Sequence, residues 1–196
     1  MWTALQTFVD PVARSYTGVE LSPLWIYKTY GLQGSALVAF QGACEVPLEH
    51  LVDQADVLAN APIASDRMIH VVAELFGLPA EAGVLLQRLW MARVAEELNQ
   101  QRGAANRVVR TGDDLWVSGR KLSVSICTVS PLSVLIHIGL NVTTSGTPLP
   151  TAGLMSDALL ASEVLDNLES WQNQLLQNLA LEAQQALLAL CKVVAR

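Results

Sequence analysis

The most constraining stretch of the chain runs from Arg110 to Val142, RTGDDLWVSGRKLSVSICTVSPLSVLIHIGLNV, where apolar and polar residues alternate in short runs. Alternation with a period of two marks strands whose two faces meet different surroundings. Leu122, Val124 and Ile126 share one face, and Lys121, Ser123, Ser125 and Cys127 share the other. Farther on, Val134, Ile136, Ile138 and Leu140 lie opposite His137, Gly139 and Asn141. Ser118-Gly119 supplies a two-residue hairpin turn, with glycine providing the positive φ such loops require. The pattern predicts strands that are apolar toward a core and small and polar on the far side. If the polar faces pair, Ser125 comes near His137, Ser123 near Gly139 and Lys121 near Asn141.

The rest of the chain supplies helices and further strands. Residues 1–11 form a short apolar lead-in that Pro11 stops, and Arg14–Gly18 fits a strand or a turn. Ser22-Pro23 predicts a capped short helix filled by Leu24–Tyr30 and closed by Gly31. Ala36–Phe40 is a continuous apolar run suited to a strand covered on both faces, ended by Gln41–Pro47. Glu49–Leu58 fits a helical turn or a short strand. Ser65 followed by Met68, Val71, Val72, Leu75 and Phe76 has helical spacing, with Gly77 and Pro79 ending it. A longer helix is predicted from Ala80 to about Gln101, burying Leu85, Leu86, Leu89, Trp90, Val94 and Leu98, with Gly103 as its stop. After a Gly/Thr/Pro-rich linker the tail is helical, with Leu160, Val164, Leu168, Trp171, Leu175, Leu179, Leu187, Leu190 and Val194 three to four residues apart or at multiples of that spacing. Its span exceeds a typical globular helix, which predicts a break, a second helix or an oligomer seam. Strands and helices without regular βαβ alternation read as α+β.

Composition narrows the function classes. Of 196 residues, 52% are apolar and 15% charged, a balance that supports a large core and argues against disorder. The net charge is −6 and no Lys/Arg cluster occurs, so nucleic acid is not an expected partner. Three widely spaced cysteines, Cys44, Cys127 and Cys191, form neither a disulfide framework nor a zinc ribbon, and no metal-ligating set is read. The N-terminal residues lack a signal-peptide pattern, and no apolar run is long enough to span a bilayer. The expected location is cytoplasmic.

Lys121 is the residue that most suggests chemistry. An ammonium on a polar sheet face can hold a carboxylate or phosphate and stabilise negative charge developing in acyl transfer. Ser123 and Ser125 would add hydroxyl donors and acceptors on that face. Gly139 would give a ligand close access to the backbone. An edge strand carrying a solvated lysine and small polar residues has the same pattern. Asp113 and Asp114 are candidates for Mg²⁺ beside a phosphate, or simply solvated turn acids. A Cys127/His137 pair offers a nucleophile and a base on neighbouring strands. Arg14, Tyr16 and Glu20 either close the pocket from the N-terminal side or lie on the surface. His70 reads as a helical histidine in a core or at its boundary. Cys44 reads as a small buried hydrophobe.

These residues also carry a resemblance. Arg110–Leu115, Gly119-Arg120-Lys121-Leu122 and Ile138-Gly139-Leu140-Asn141-Val142 resemble, in order and spacing, the Trp-Pro-Asn-Asp-Leu, Gly-Arg-Lys-Leu/Ile and Gly-Ile-Gly-Ile-Asn-Val segments of biotin protein ligases. Lys121-Leu122-Ser123-Val124-Ser125 is similar to the Lys-Ile-Ser-Gly-Ser of lipoate protein ligases. By that resemblance Lys121 would contact the carboxylate and phosphate of an acyl-adenylate, Asp114 would match the motif aspartate, and ATP with Mg²⁺ would be the cofactors to consider. Val124 and His137 stand where those families have glycine, and the arginine-rich nucleotide loop is missing from the sequence. Over its whole length the chain is similar to the domain-of-unknown-function 366 family, mostly archaeal and with the biotin/lipoate-ligase-like fold. Tyr16–Ile26, Val38–Cys44, Met68-Ile69-His70, Gly112–Leu115 and Lys121–Ile126 carry that likeness, with Leu24 where relatives often have histidine.

The expected architecture is one α+β domain of that type over residues 1–155, with helices on one face of a mixed or antiparallel sheet. Residues 156–196 form a helical extension packed on it. The expected site is a small-molecule pocket centred on Lys121, with Ser123, Ser125, His137, Gly139, Asn141 and Asp114 binding the ligand. Three functions are compatible with this reading: acyl transfer or ligation on a carboxylated or phosphorylated small molecule, non-catalytic ligand binding or regulation, and a partner subunit that assembles through the apolar tail, with a homo-oligomer as one form of that assembly.

Overall fold

A computed structural model describes residues 5–101 and 107–194. Five strands form the main sheet in the order β1 (Gln6–Val9), β2 (Ala36–Val46), β3 (Ile63–Phe76), β8 (Ser133–Asn141), β7 (Ser123–Val129). The β1–β2 pair is parallel and the other three are antiparallel, so the sheet is mixed, as expected. A smaller antiparallel sheet holds β4 (Val108–Thr111), β5 (Asp114–Val117) and β6 (Arg120–Lys121). Ser118 and Gly119 turn β5 into β6 with φ of 49° and 75°, both positive as a tight hairpin requires.

One face of the main sheet carries the larger core. Against it pack α3 (Ala80–Gln100) and α5 (Leu168–Ala189), with Ile69, Val71, Ala73, Ile136, Ile138 and Leu140 beneath them. Gly83 lets α3 approach closely, since a Cβ there would lie 2.6 Å from a Val134 methyl. Trp90 is fully buried and donates from its indole to the Leu179 carbonyl at 2.8 Å, tying α3 to α5. The tail breaks between α4 (Ser162–Leu165) and α5, where the Asn167 side chain accepts from the Ser170 N–H. Leu190 and Val194, in phase with the buried positions, are 71% and 87% exposed. On α3, Leu85 and Leu89 also face outward while Leu86, Trp90, Val94 and Leu98 are buried. No helix among the described residues is long and apolar enough to cross a membrane. Gly103, the expected stop of α3, lies outside the described residues.

Several local expectations are corrected. Ile63–Phe76 is a fourteen-residue strand, not a helix. It lies in the middle of the sheet and is buried on both faces, so its apolar run has no period-two alternation, and the three-to-four spacing is coincidental. Its Ser65 caps nothing, and its hydroxyl has no hydrogen-bond partner among the described residues. Strand β2 does not end at Phe40. It continues to Val46 through a bulge between Gly42 and Cys44. Helix α1 (Trp25–Tyr30) has no serine cap: the Ser22 hydroxyl donates to the Val19 carbonyl, and the buried Glu74 carboxylate accepts from the Leu24 N–H.

Candidate functional site

The second face of the sheet carries a smaller core built from Tyr16, Leu21 and Ile26 of the segment that includes α1, and from Leu51 and Val57 of the covering segment between β2 and β3, residues 47–62, which includes α2 (Gln54–Ala59). Asp53 starts α2 by accepting from the Ala55 N–H, and Asn60 ends it in the left-handed region. A cavity of about 200 Å³ lies beneath this cover. Its walls include Leu51, Asp53 and Asp56 from the cover, Asp113 and Asp114 from the small sheet, and Tyr16, Cys44, Val124, Ile126 and His137. A second chamber of about 230 Å³ is more apolar, with Met68, Trp116, Pro148, Leu149 and Pro150 among its walls. Asp56, Ile63, Lys121 and Val124 border both chambers.

Lys121 stands at this junction. Its Nζ lies 3.0 Å from Asp114 Oδ2, with the lysine side chain 39% exposed and the aspartate side chain 24%. Burial raises the Asp114 carboxyl above its ordinary range, and the Lys121 ammonium opposes that. Asp56, approaching from the cover, is also raised, by burial and then by Asp53, again with Lys121 acting against the shift. Asp113 lies 3.9 Å from the Arg88 guanidinium.

The floor of the first chamber is aromatic and uncharged. Tyr16 stacks on His137 with ring centroids 3.8 Å apart and planes 5° apart. His137 Nε2 lies 3.1 Å from His70 Nδ1. Both imidazoles are buried, which lowers His70 to about 4 and His137 well below its usual range, with His70 adding to the shift of His137. Tyr16 reaches the floor because Arg14–Tyr16 runs beside β2: the Tyr16 N–H donates to the Ala43 carbonyl at 2.8 Å and its carbonyl accepts from the Glu45 N–H. Gly42 permits this path, since a Cβ there would sit 2.0 Å from the Arg14 carbonyl oxygen.

The expected face of β7 is reversed. Ser125 pairs with Ile138 and Ile126 with His137, one residue away from the expected register, so Val124 and Ile126 share the cavity face with His137 and Gly139. A one-residue slip exchanges the faces of a strand. Here it arises because Lys121 belongs to β6 of the small sheet, and the chain crosses between sheets at Leu122, whose carbonyl accepts from the Asn141 N–H. Ser123 and Ser125 reach the chamber edges, but their hydroxyls are engaged within the chain. Ser123 Oγ accepts from the Leu115 N–H; Ser125 Oγ donates to the Asp113 carbonyl and accepts from Gln87 Nε2. Asn141 borders the second chamber. The space over Gly139 is occupied: a Cβ there would meet the Met68 methyl at 2.8 Å and Val124 at 3.0 Å.

Cys127 and His137 do not form a pair. Cys127 pairs across from Ile136 and packs toward Gly83 on the helical side, and burial pushes its thiol up to about 11. Arg14 and Glu20 line neither chamber: Arg14 bonds Asp10, and Glu20 accepts from the Thr17 N–H. His70 is on a strand rather than a helix, and Cys44 is fully buried, as expected. Asp56, Trp116 and Pro148–Pro150 were not anticipated. For Trp116 the signal was present, because the Ser118-Gly119 turn fixes the register that sets Trp116 opposite Lys121.

A protein of unknown function from Pyrococcus horikoshi has a matching structure, with a TM-score of 0.85 and 33% identity over 98% of this chain and 100% of that one. An uncharacterised protein from Methanocaldococcus jannaschii is 33% identical over 135 residues, 67% of this chain, and the match spans 60% of that relative's length. A T. acidophilum protein described as a candidate lipoate protein ligase, with bound lipoic acid, aligns with a TM-score of 0.58 at 12% identity, covering 93% of this chain and 87% of that one. A biotin protein ligase variant from Aquifex aeolicus, in complex with biotin, aligns at 0.55 and 11%, covering 92% and 70%. The last two establish the α+β fold of the biotin/lipoate protein ligases and nothing beyond it. The model of a domain of unknown function, DUF366, matches residues 5–194, and the chain belongs to that family.

Proposed function

We propose that the two chambers bind a carboxylated or phosphorylated small molecule with an apolar acyl chain, and that the site works on it by acyl transfer. The observation that carries this reading is the position of Lys121, the one Lys or Arg among the described residues that border the chambers. An anionic group entering at the junction competes with Asp114 for the ammonium, while the acyl chain takes the chamber walled by Trp116, Met68 and Leu149. Acyl transfer here requires a donor that arrives already activated, such as an acyl phosphate, whereas a free carboxylate is bound and not transferred. An amine or hydroxyl acceptor bonds to the carbonyl carbon and gives its proton to solvent, the phosphate leaves with the bonding pair, and Lys121 opposes the negative charge on the carbonyl oxygen. The biotin- and lipoic-acid-bound structures of the same fold support a small-molecule role for this fold.

ATP with Mg²⁺ does not suit the donor set. A triphosphate needs several cationic or backbone N–H partners. The described walls offer one lysine, already paired with Asp114, and Asp113 lies beside Arg88. These walls give an adenylation step no support, and the same scarcity of cations favours a second reading, a ligand-binding protein without catalysis. Leu188 and Leu190, exposed on the tail, support self-association as an additional use, tested by a solution mass measurement.

A thermal-shift panel of octanoate, lipoate, biotin, ATP and an acyl-adenylate analogue tests the reading, because a ligand that binds only the folded state raises its melting temperature. Octanoate or lipoate should stabilise the wild type and leave Lys121→Ala unshifted. Silence from every acid contradicts the proposal.

A further inference from the structure

The floor of the first chamber holds a polar group that the Lys121 reading leaves unused. His137 borders the cavity, and its Nε2 faces His70 Nδ1 at 3.1 Å. Its Nδ1 makes no hydrogen bond among the described residues. It is also absent from the sealed, unpaired polar atoms there, which are Ser65 Oγ, His70 Nε2 and Gln172 Nε2.

Proton accounting fixes the roles. A neutral imidazole has one N–H donor and one lone-pair acceptor, so two neutral rings joined by one hydrogen bond share a single proton across it. The carbonyls of Gly42 and Ala43 lie toward the His70 ring as acceptors and favour a proton on it. Nδ1 being engaged by His137, that proton belongs on Nε2, although no partner meets Nε2 at full hydrogen-bond geometry. His70 Nδ1 is then the acceptor, His137 Nε2–H is the donor, and His137 Nδ1 is left as a bare acceptor. Tyr16, stacked on the ring, holds the imidazole plane in place.

We infer that the His70–His137 pair locks His137 in the Nε2–H tautomer and presents its Nδ1 as a hydrogen-bond acceptor at the chamber floor, so that the site selects ligands whose inner end carries an N–H or O–H donor. This rests on the reading of the chamber as a ligand site and adds a recognition element separate from Lys121. His137 is the contact residue; His70 and Tyr16 are positioning residues. An acceptor in a buried floor discriminates because a ligand lacking the donor leaves it unpaired after displacing water.

Two measurements test the inference. In long-range ¹H–¹⁵N correlation spectra of the wild type, His70 and His137 should both give the Nε2–H pattern. His50, whose Nδ1 faces the Thr17 carbonyl at 2.9 Å, provides the contrasting signal. An Nδ1–H pattern at His137 overturns the assignment, and this readout needs no variant. N-methylhexanamide and N,N-dimethylhexanamide, which differ in a single N–H, should then bind with dissociation constants at least about fivefold apart, the donor amide tighter and shifting His137 Nδ1. His137→Phe should bring the ratio to one, and His70→Phe should lower it with the His137 ring still present. If octanoate binds and the amides tie in the wild type, the His137 role is wrong and the Lys121 reading stands. If no probe binds, both fall.

Discussion

Asp114 Oδ2 lies 3.0 Å from Lys121 Nζ, where the polar chamber meets the apolar one. Under the proposed function the pair is a counter-ion contact that an anionic ligand would open. Asp114→Asn frees the ammonium and should tighten octanoate binding by roughly fivefold, about 1 kcal/mol. The pair is partly exposed, so the folded state should lose less than about 1 kcal/mol. Calorimetric titration together with a urea melt checks both, and unchanged or weaker octanoate binding in the variant contradicts the counter-ion role.

Gly42 sets the path that brings Tyr16 onto His137. A methyl there would lie 2.0 Å from the Arg14 carbonyl oxygen, and that contact is backbone rather than a side chain able to swing away. Gly42→Ala should cost about 2–3 kcal/mol in urea unfolding. It should also move the NMR resonances of Tyr16 and His137 together as the stack opens. A variant of wild-type stability would show that the segment yields easily.

The histidine pair gives stability a pH dependence of definite sign. In the unfolded chain both rings titrate near 6.5, whereas burial lowers both in the folded protein, His70 to about 4. Between about pH 6.5 and 4 the unfolded state binds more protons, so stability falls as the pH drops, by up to roughly 1.4 kcal/mol per ring per pH unit. Tyr16 and Cys44, the titratable neighbours on this floor, are both raised and stay neutral there. Asp56, Asp114 and Glu97 are raised, so they protonate earlier in the folded state and act in the opposite sense at the acid end. Urea midpoints at pH 7.5 and 5.5 should differ in the wild type and converge in His70→Phe/His137→Phe. A flat wild-type profile over that window would show that the pair is not held neutral.

Ser125 marks where pattern and structure part. Its hydroxyl links Gln87 on α3 to the Asp113 carbonyl, so Ser125→Ala should destabilise the fold by about 1 kcal/mol and barely change octanoate affinity. A large affinity loss at unchanged stability would return this hydroxyl to the ligand.

In β8 the alternation read correctly, because Val134, Ile136, Ile138 and Leu140 all lie in the helix-side core. In β7 both faces are covered, one by α3 and one by the cavity wall, so polarity did not distinguish them. Continuing the phase of Lys121 across Leu122 then carried β6 into a different sheet. Strand β3 failed for a related reason: a central strand buried on both sides has no polar face to announce its period, and only Ile63, Ile69, Val71 and Val72 hinted at it. The Lys121–Trp116 register and the α3 boundaries were legible because a positive-φ turn and a long amphipathic run are local signals. The His70–His137 contact joins residues far apart in sequence, and nothing local could announce it.

The central claim is that Lys121 holds the anionic end of an acyl ligand at the chamber junction. Calorimetric titration of octanoate into the wild type and into Lys121→Ala tests it most directly. Measurable binding by the wild type, reduced at least tenfold in a variant that melts within a few degrees of it, is the result this account predicts. Equal binding by the two proteins, or none by the wild type, would contradict it.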